Sequence, residues 1–385
     1  MNIITEMPIQ RSLASKIAFR IDYKKAIILL GPRQAGKTTL IKELALHLDP
    51  AYLYINGDDP PVQAQLSNAS LAFLTAYIGN AKVIVIDEAQ RIQNVGITLK
   101  LIVDNLPGRQ LLVTGSSALE LANKMNEPLT GRKWEYQLYP ISWQELCDNE
   151  TMAKSLLRLP NLIVYGMYPD VVTQPGNEAE ILSNLATSYL YKDLLTFQGI
   201  RKPELLVKIL QALAWQVGSE VSLNEVSNTV QADKNTVNHY IDLLEKAFII
   251  YRLQPFNRNL RTEISSNKKI YFYDNGIRNA IIGNYSPIIS RNDIGALWEN
   301  FLISERMKLL WYNGFYGHTY FWRTTRQQEI DYIEEIDGRL YAYEFKWNPM
   351  AKSKFPSAFT EKYKPAETKV IHRDNFWEWL QHYPY

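Results

Sequence analysis

The chain has 385 residues, 46% of them hydrophobic, which is ordinary globular composition and enough for two or three domains. Its 42 Lys and Arg against 40 Asp and Glu leave a net charge of +2, which excludes bulk charge as the source of any nucleic-acid binding and requires a local patch instead. The single cysteine, Cys147, excludes an internal disulfide framework, and no apolar run approaches the roughly 18 residues that cross a bilayer, so we expect a cytoplasmic protein with no membrane contact.

The first predicted elements flank a loop with the spacing of a nucleotide-binding motif. A lead-in with a helix around Arg11–Lys24, to which we assign no chemistry, is followed by the segment Ala26–Ile41, AIILLGPRQAGKTTLI. This segment fills the P-loop pattern G-x-x-x-x-G-K-[ST], in which backbone N–H groups and a helix N-terminus cradle a phosphate. We expect Lys37 to reach the β- and γ-phosphates of ATP and Thr38 to bind Mg²⁺; the alternative is an ordinary structural loop. The expected nucleotide-binding residues are Gly31, Pro32, Arg33, Gln34, Ala35, Gly36, Lys37, Thr38 and Thr39.

A strand at Ala51–Gly57 and a helix at Leu71–Gly79 lead to a second motif, in which an apolar strand ends in two acids. Val83–Ile86 is followed by Asp87 and Glu88. Parallel sheets covered on both faces need such apolar strands, and they bind ligands at the carboxyl ends. The pattern is that of a Walker B element, so we expect Asp87 to hold the Mg²⁺ shell and Glu88 to orient the attacking water. The alternative is a surface acid pair that ends the strand.

Small hydroxyl residues end the next predicted strand, within Arg109–Glu120. Thr114 and Ser116 lie where they could hydrogen-bond the γ-phosphate or its water, which is the role of a sensor. The alternative is local, with Ser117 capping the helix that follows.

Arg132 lies between this segment and the predicted strand WEYQLYP. A guanidinium here could reach a γ-phosphate on a neighbouring subunit and couple hydrolysis to assembly. The alternative is an arginine that anchors the turn by hydrogen bonds.

Four blocks together resemble a known family. GPRQAGKTTL, VIVIDEAQRI, LLVTGSSA and LTGRKWEYQLYPISWQEL are similar to the AAA-type ATPase domain (AAA_14) of a prokaryotic family in which a region of unknown function (DUF4143) follows. The resemblance spans essentially the whole chain. It implies an α/β fold with a parallel P-loop sheet and a central P-loop strand, ATP and Mg²⁺ as ligands, and oligomer formation, but it supplies no substrate.

Helical periodicity dominates the next segment, from Thr151 to about residue 200. The resemblance implies a helical lid that packs on the nucleotide. Lys192 or Arg201 is a candidate second phosphate sensor, which the spacing alone does not establish.

Three short helices and a strand pair predicted from Pro203 onward have the order of a winged helix-turn-helix. The third helix would place Val237, Ile241, Leu244 and Phe248 along one apolar stripe. It would present Lys234, Asn235, Asn238 and His239 outward, which suits a DNA groove. Six basic residues against two acidic ones between Arg252 and Arg278 would let the wing contact phosphates. Because Asp233 and Asp242 lie on the same helix, the alternative is a protein-docking module.

The last hundred residues carry a second set of charged side chains, which resembles the PD-(D/E)xK nuclease core. Glu299 lies near the start of an amphipathic helix, Asp331 lies in a strand, and Glu344 and Lys346 share one face of the next strand. Asp337 and Gly338 between these two strands predict a hairpin turn. Two carboxylates would hold Mg²⁺ against a scissile phosphate, Lys346 would act as a catalytic group, and Glu299 would complete the metal shell. No proline lies close before Asp331 in the chain, which departs from the nuclease signature, and the alternative is a scaffold of salt-bridged acids. His372 is expected at the surface.

These elements predict four parts: an ATPase domain (1–150), a lid or linker (151–202), a winged helix (203–290) and an α/β nuclease-like domain (291–385). The first hypothesis is an ATPase whose nucleotide state controls a C-terminal module that binds DNA or protein. The second is an ATP-regulated, metal-dependent nuclease. The third is a non-catalytic signalling or scaffold switch, with a protein partner or a second copy of the chain.

Overall fold

The aliphatic runs of the N-terminal part form the strands of a parallel sheet. The computed structural model describes residues 9–115, 129–187, 202–257, 267–381 and 383. Those residues form two compact units, bounded as Met1–Ile141 with Lys246–Phe248 and as Ser142–Glu245 with Ile249–Tyr385. The first unit contains α1 (Leu13–Phe19), β1 (Ala26–Leu30), α2 (Lys37–Leu48), β2 (Leu53–Asn56), α3 (Pro60–Leu66), α4 (Leu71–Ile78), β3 (Val83–Asp87), a 3₁₀ turn (Ala89–Arg91), α5 (Val95–Asn105), β4 (Gln110–Gly115) and β5 (Lys133–Gln137).

The five strands pair in parallel in the order β2-β3-β4-β1-β5. Every residue of β1, β3 and β4 is buried, as a sheet covered on both faces requires. The predicted α/β fold with a P-loop-like parallel sheet is therefore confirmed. The P-loop strand β1 is an interior strand, but the middle position belongs to β4 because only β5 lies beyond β1.

Two glycines shape the loop between β1 and α2. Gly31 has φ +150°, and a Cβ there would lie 2.0 Å from the carbonyl oxygen of Leu138, so only glycine fits. Gly36 has φ +93° and immediately precedes the first helical residue, Lys37. The loop therefore turns tightly and delivers the N-terminus of a twelve-residue helix to the carboxyl edge of the sheet.

The second unit begins with helices and ends with a mixed sheet. Its helices are α6 (Trp143–Asn149), α7 (Met152–Tyr165), α8 (Pro169–Thr173), α9 (Glu178–Leu185), α10 (Pro203–Trp215), α11 (Leu223–Val230), α12 (Lys234–Lys246), α13 (Asn275–Ile282), a 3₁₀ turn (Ile288–Ser290), α14 (Ile294–Tyr312), α15 (Ser357–Tyr363) and α16 (Phe376–Gln381). Its strands are β6 (Glu220–Val221), β7 (Ile250–Pro255), β8 (Lys268–Phe272), β9 (His318–Arg323), β10 (Glu329–Ile336), β11 (Arg339–Lys346) and β12 (Glu367–His372).

One seven-stranded sheet, in the order β12-β11-β10-β9-β7-β8-β6, joins the two parts that were expected to be separate beyond residue 203. The hairpin β7–β8, expected as a wing, is linked to the C-terminal strands because β7 pairs in parallel with β9. The three helices α10–α12 that precede it occur where they were expected. The winged-helix interpretation and the four-part division remain predictions, and residues 258–266 between β7 and β8 lie outside the described residues.

The predicted hairpin of the C-terminal sheet is present. β10 and β11 pair antiparallel across Asp337 and Gly338, whose φ angles of 49° and 74° are those of a tight hairpin turn. The long helix α14 carries the buried Trp298 and Phe301, and the ring of Trp298 lies 5.2 Å from that of Phe376 on α16. None of the helices among the described residues is long and apolar enough to cross a membrane.

Candidate functional site

The loop from Gly31 to Thr38 surrounds the side chain of its own lysine. The Lys37 ammonium donates to the carbonyl oxygen of Gly31 over 3.0 Å and to that of Pro32 over 2.8 Å, and the residue is only 4% exposed. Ala35 is buried, whereas Gln34 and Thr39 are exposed. The lysine is thus already inside the loop whose N–H groups would receive a phosphate.

Asp87, at the end of β3, gathers hydroxyl donors from three other elements. Its Oδ2 accepts from Thr38 Oγ1 over 2.9 Å and from Tyr54 OH over 2.8 Å, and its Oδ1 accepts a short hydrogen bond from Thr114. Burial, followed by the hydrogen bond to Asp87 and its charge, raises the pKa of the Tyr54 hydroxyl well above its ordinary value. Tyr54 therefore remains a donor that orients the carboxylate.

This carboxylate and the Thr38 hydroxyl fit a magnesium ion. Mg²⁺ prefers hard oxygen ligands and is usually held in proteins by one or two carboxylates, with waters and substrate phosphates completing its shell. Thr38 and Asp87 come from the two predicted Walker motifs and are in direct contact. The donor set thus matches the ion that the family resemblance implies.

Glu88 follows with an unusual backbone. Its φ of 50° lies in the left-handed region, and its N–H donates to Thr114 Oγ1 over 3.1 Å. Its carboxylate accepts from Gln90 Nε2 over 2.5 Å. A non-glycine residue held in this conformation is often found at functional sites. Thr114 thus contacts both acids of the Walker B motif, and Gln90 orients the second.

Of the other residues predicted for the ATP site, the structure describes Arg132. Arg132 donates to Asp104 over 2.5 Å and to the carbonyl oxygen of Thr130 over 3.3 Å, which are the contacts of an arginine that anchors a turn. Its role as a finger in trans stays a prediction. Ser116, Ser117, Lys192 and Arg201 lie outside the described residues.

Arg11 is a functional candidate that sequence reasoning missed. Its guanidinium donates to the carbonyl oxygen of Ala35, inside the phosphate loop, and to that of Tyr139, just after β5, each over 2.6 Å. No motif marks Arg11, because its partners are backbone atoms 24 and 128 positions away. Tyr54 and Gln90 were also missed, since an isolated polar residue outside a motif carries no spacing signal.

The C-terminal set predicted to be nuclease-like is brought together by α14, β10 and β11. Lys346 Nζ lies 3.1 Å from Glu344 Oε2 and 3.7 Å from Asp331 Oδ2, and the Phe345 N–H donates to Asp331 over 2.7 Å. Burial, followed by the charges of Glu299 and Glu344, raises the pKa of Asp331 above its ordinary value. The three acids are therefore electrostatic neighbours.

A lysine that was not part of the predicted set, Lys269 on β8, contacts one of its acids, Glu299. Its ammonium lies 2.9 Å from Glu299 Oε1 and 2.5 Å from Glu329 Oε1. Across the part of the chain that the structure describes, no group of three or more His, Cys, Asp or Glu side chains is arranged to hold a metal ion. The predicted metal site of Glu299, Asp331 and Glu344, with Lys346 beside it, stays a prediction that this arrangement does not support.

On the proposed DNA-binding helix α12, three of the four predicted residues are exposed: Lys234, Asn235 and His239. Asn238 is half-buried, and its Nδ2 lies 3.5 Å from Asp242. The opposite face of the helix, which includes Val237, Ile241 and Leu244, is buried as predicted.

Comparison with known families divides the chain into three matched segments. Residues 23–147 match the AAA domain family, residues 157–287 match a domain of unknown function (DUF8612), and residues 294–380 match a domain of unknown function (DUF4143). The AAA-type domain and the DUF4143 region predicted from the sequence are therefore confirmed. The DUF8612 match was not predicted, and it spans most of the segment assigned to a lid and a winged helix.

Relatives and solved structures add little about function. An uncharacterized protein of Mycobacterium tuberculosis is 29% identical over 344 residues, covering 88% of this chain and 74% of its own. An uncharacterized protein of Methanocaldococcus jannaschii is 23% identical, with coverage of 72% and 67%. The RuvB Holliday junction branch migration motor of Thermotoga maritima is 20% identical over 63% of this chain and 86% of its own, with a TM-score of 0.32. A likeness at that TM-score carries no argument about what this chain does.

Proposed function

We propose that the chain binds Mg·ATP at the loop from Gly31 to Thr39 and hydrolyses it. The observation that carries this proposal is the contact between Thr38 and Asp87, because it joins the two Walker motifs of an AAA-type domain at one edge of the sheet. Bound Mg²⁺ would neutralise charge on the β- and γ-phosphates. Lys37 and the N–H groups at the start of α2 would hold the same phosphates.

Each remaining residue of the site has a separate task in this proposal. Asp87 and Thr38 hold the magnesium shell, and Tyr54 keeps the Asp87 carboxylate oriented. Glu88 polarises the attacking water, while Thr114 positions the backbone of Glu88 and contacts Asp87. The Glu88 carboxylate accepts a hydrogen bond from Gln90 Nε2, and this bond fixes the orientation of the carboxylate before the attacking water binds to it.

The test is steady-state ATP turnover of the wild-type chain and of Glu88→Gln, with nucleotide affinity measured in parallel. A lost general base lowers turnover by about 100-fold or more while ATP binding persists. Glu43→Gln, an exposed acid on α2, is the matched control and should behave as wild type. Wild-type turnover in Glu88→Gln would contradict the assigned role of Glu88.

We propose further that nucleotide state controls the second unit, which acts as a binding module. The pairing of Glu299 with Lys269 supports a module that binds without cutting over an ATP-regulated nuclease. The partner of this module could be DNA, a protein or a second copy of the chain, and we propose DNA. Exposed Lys234, Asn235 and His239 on α12 support DNA. Binding of duplex DNA measured with and without Mg·ATP, for wild type and for Lys234→Ala with Asn235→Ala, tests this part.

A further inference from the structure

Lys269 is a buried cation inside a group of carboxylates. Its side chain on β8 is only 2% exposed, and its ammonium contacts Glu299 Oε1 at 2.9 Å and Glu329 Oε1 at 2.5 Å. The ring of Phe321 lies 5.5 Å from the same nitrogen. Burial lowers the pKa of Lys269, but the charges of Glu299, Glu329 and Asp331 outweigh it and raise that pKa above its ordinary value. The lysine is therefore a permanent positive charge in this cluster.

The carboxylate oxygens beside it already accept hydrogen bonds from protein donors. Glu299 Oε1 accepts from Tyr271 OH over 2.5 Å in addition to the ammonium. Asp331 Oδ2 accepts from the Phe345 N–H over 2.7 Å. A divalent metal ion needs lone pairs on several carboxylates that converge on one point. Here at least one oxygen on each of these acids is directed at a protein donor instead.

Glu344 completes the pattern on β11. Its Oε2 accepts from Lys346 over 3.1 Å and from the Ser353 hydroxyl over 3.2 Å. Lys269 and Lys346 thus approach the acids from two different strands, β8 and β11, and the charge of Asp331 interacts with both. A metal ion entering between the acids would have to displace Lys269 or lie beside its charge.

We infer that Lys269 takes the place of a divalent metal ion among Glu299, Asp331 and Glu344, so that the native cluster binds no such ion and cleaves no phosphodiester. Removal of the Lys269 ammonium leaves Glu299 without its lysine partner and Lys346 as the cation beside Asp331 and Glu344, so the net negative charge of the cluster rises and a metal ion can take the place of Lys269. A phosphodiester approaching the native cluster without a metal would meet carboxylates already paired with lysines, so the cluster has no free cation to hold it. This inference does not depend on ATP hydrolysis by the first unit.

The test is Mn²⁺ binding by the full chain, measured by calorimetry without nucleotide. The variants are Lys269→Met, which keeps the length of the side chain, Lys269→Arg, which keeps the charge, and Lys269→Met combined with Asp331→Asn. We expect Lys269→Met to bind one more Mn²⁺ per chain than wild type. Lys269→Arg should match wild type, and Asp331→Asn should remove the additional site. A Lys269→Met chain that folds and gains no site would overturn the inference.

Wild type and Asp331→Asn provide a second comparison that does not require any Lys269 variant to fold. We expect the two proteins to bind the same number of Mn²⁺ ions, and neither to nick single- or double-stranded DNA in Mn²⁺ or Mg²⁺. A Mn²⁺ site in wild type that disappears in Asp331→Asn would overturn the inference. So would nicking by wild type that Asp331→Asn loses.

Discussion

The Thr38 hydroxyl donates to the Asp87 carboxylate over 2.9 Å, across 49 positions of sequence. Thr38 is the second residue of α2, and Asp87 is the last residue of β3. The fold therefore brings the two Walker motifs into direct contact. The two side chains would share one magnesium ion in the proposed ATP complex. The surrounding contacts lead to the predictions that follow.

Tyr54→Phe removes one donor to Asp87 and leaves the ring in place. Groups that orient a metal ligand are worth about 10- to 100-fold in metal affinity or activity. We therefore expect the Mg²⁺ concentration for half-maximal ATP turnover to rise by about 10-fold. Tyr52→Phe, two residues earlier in the chain, is the control. An unchanged Mg²⁺ requirement in Tyr54→Phe would show that the hydroxyl does not position the carboxylate.

Arg11→Ala removes both hydrogen bonds that connect the phosphate loop to the end of β5. Charged hydrogen bonds contribute about 1.5–3 kcal/mol each, so the loop should lose its fixed geometry. We expect the KM for ATP to rise by about 10-fold or more, with partial recovery in Arg11→Lys. Lys24→Ala, an exposed cation near β1, should leave KM unchanged. Equal KM values in Arg11→Ala and wild type would exclude a positioning role.

The role of Arg132 can be tested by comparing its alanine variant with that of Asp104, whose Oδ1 lies 2.5 Å from Arg132 Nε. An arginine finger acts on the phosphates, so Arg132→Ala would lower turnover strongly while Asp104→Ala would not. If Arg132 acts on the ATP of a neighbouring subunit, wild-type turnover per chain would also rise with protein concentration, because assembly brings the finger to that ATP. If the two variants have equal, small effects on turnover and stability, Arg132 only anchors its turn, as expected of an exposed ion pair.

Cys147 gives a pH-dependent prediction that needs no ligand. Burial raises the pKa of its thiol, and nearby acids add to that rise against an opposing hydrogen bond from Ser155. Only the thiolate reacts with iodoacetamide, so at pH 8 the native chain should react more slowly than the urea-unfolded chain. The midpoint of the rate–pH curve should lie above that of free cysteine. Because this is the single cysteine, total label reports it directly. Equal rates for native and unfolded protein would contradict the assignment.

The sequence alone was sufficient for the parts of the fold with strong local signals. The phosphate loop and the Walker B strand follow from glycine positions and from an uninterrupted apolar run, and the β10–β11 hairpin follows from Asp337 and Gly338. These features depend on residues close together in the chain. The AAA-type region was predictable from such local blocks, whereas the DUF4143 region was predicted only from the resemblance of the whole chain to a family.

Long-range pairing was not predictable. The β7–β9 pairing depends on two backbone segments about 65 residues apart, at Gln254 and Tyr320, with no side-chain pattern to mark it. Arg11 donates to backbone carbonyl oxygens, which every residue has, so no residue type in the sequence marks its partners. Lys269 was counted with the basic residues of a surface wing, whereas the strand pairing of β8 turns it inward onto Glu299.

The most direct test of the central proposal is calorimetric titration of the purified chain with ATP, with and without Mg²⁺, for wild type and Lys37→Ala. Loss of one charged hydrogen-bond donor weakens binding by about 10- to 100-fold. The proposal predicts Mg²⁺-dependent binding of one ATP per chain in wild type and at least that loss in Lys37→Ala. No ATP binding by wild type, or equal binding by the two proteins, would contradict it.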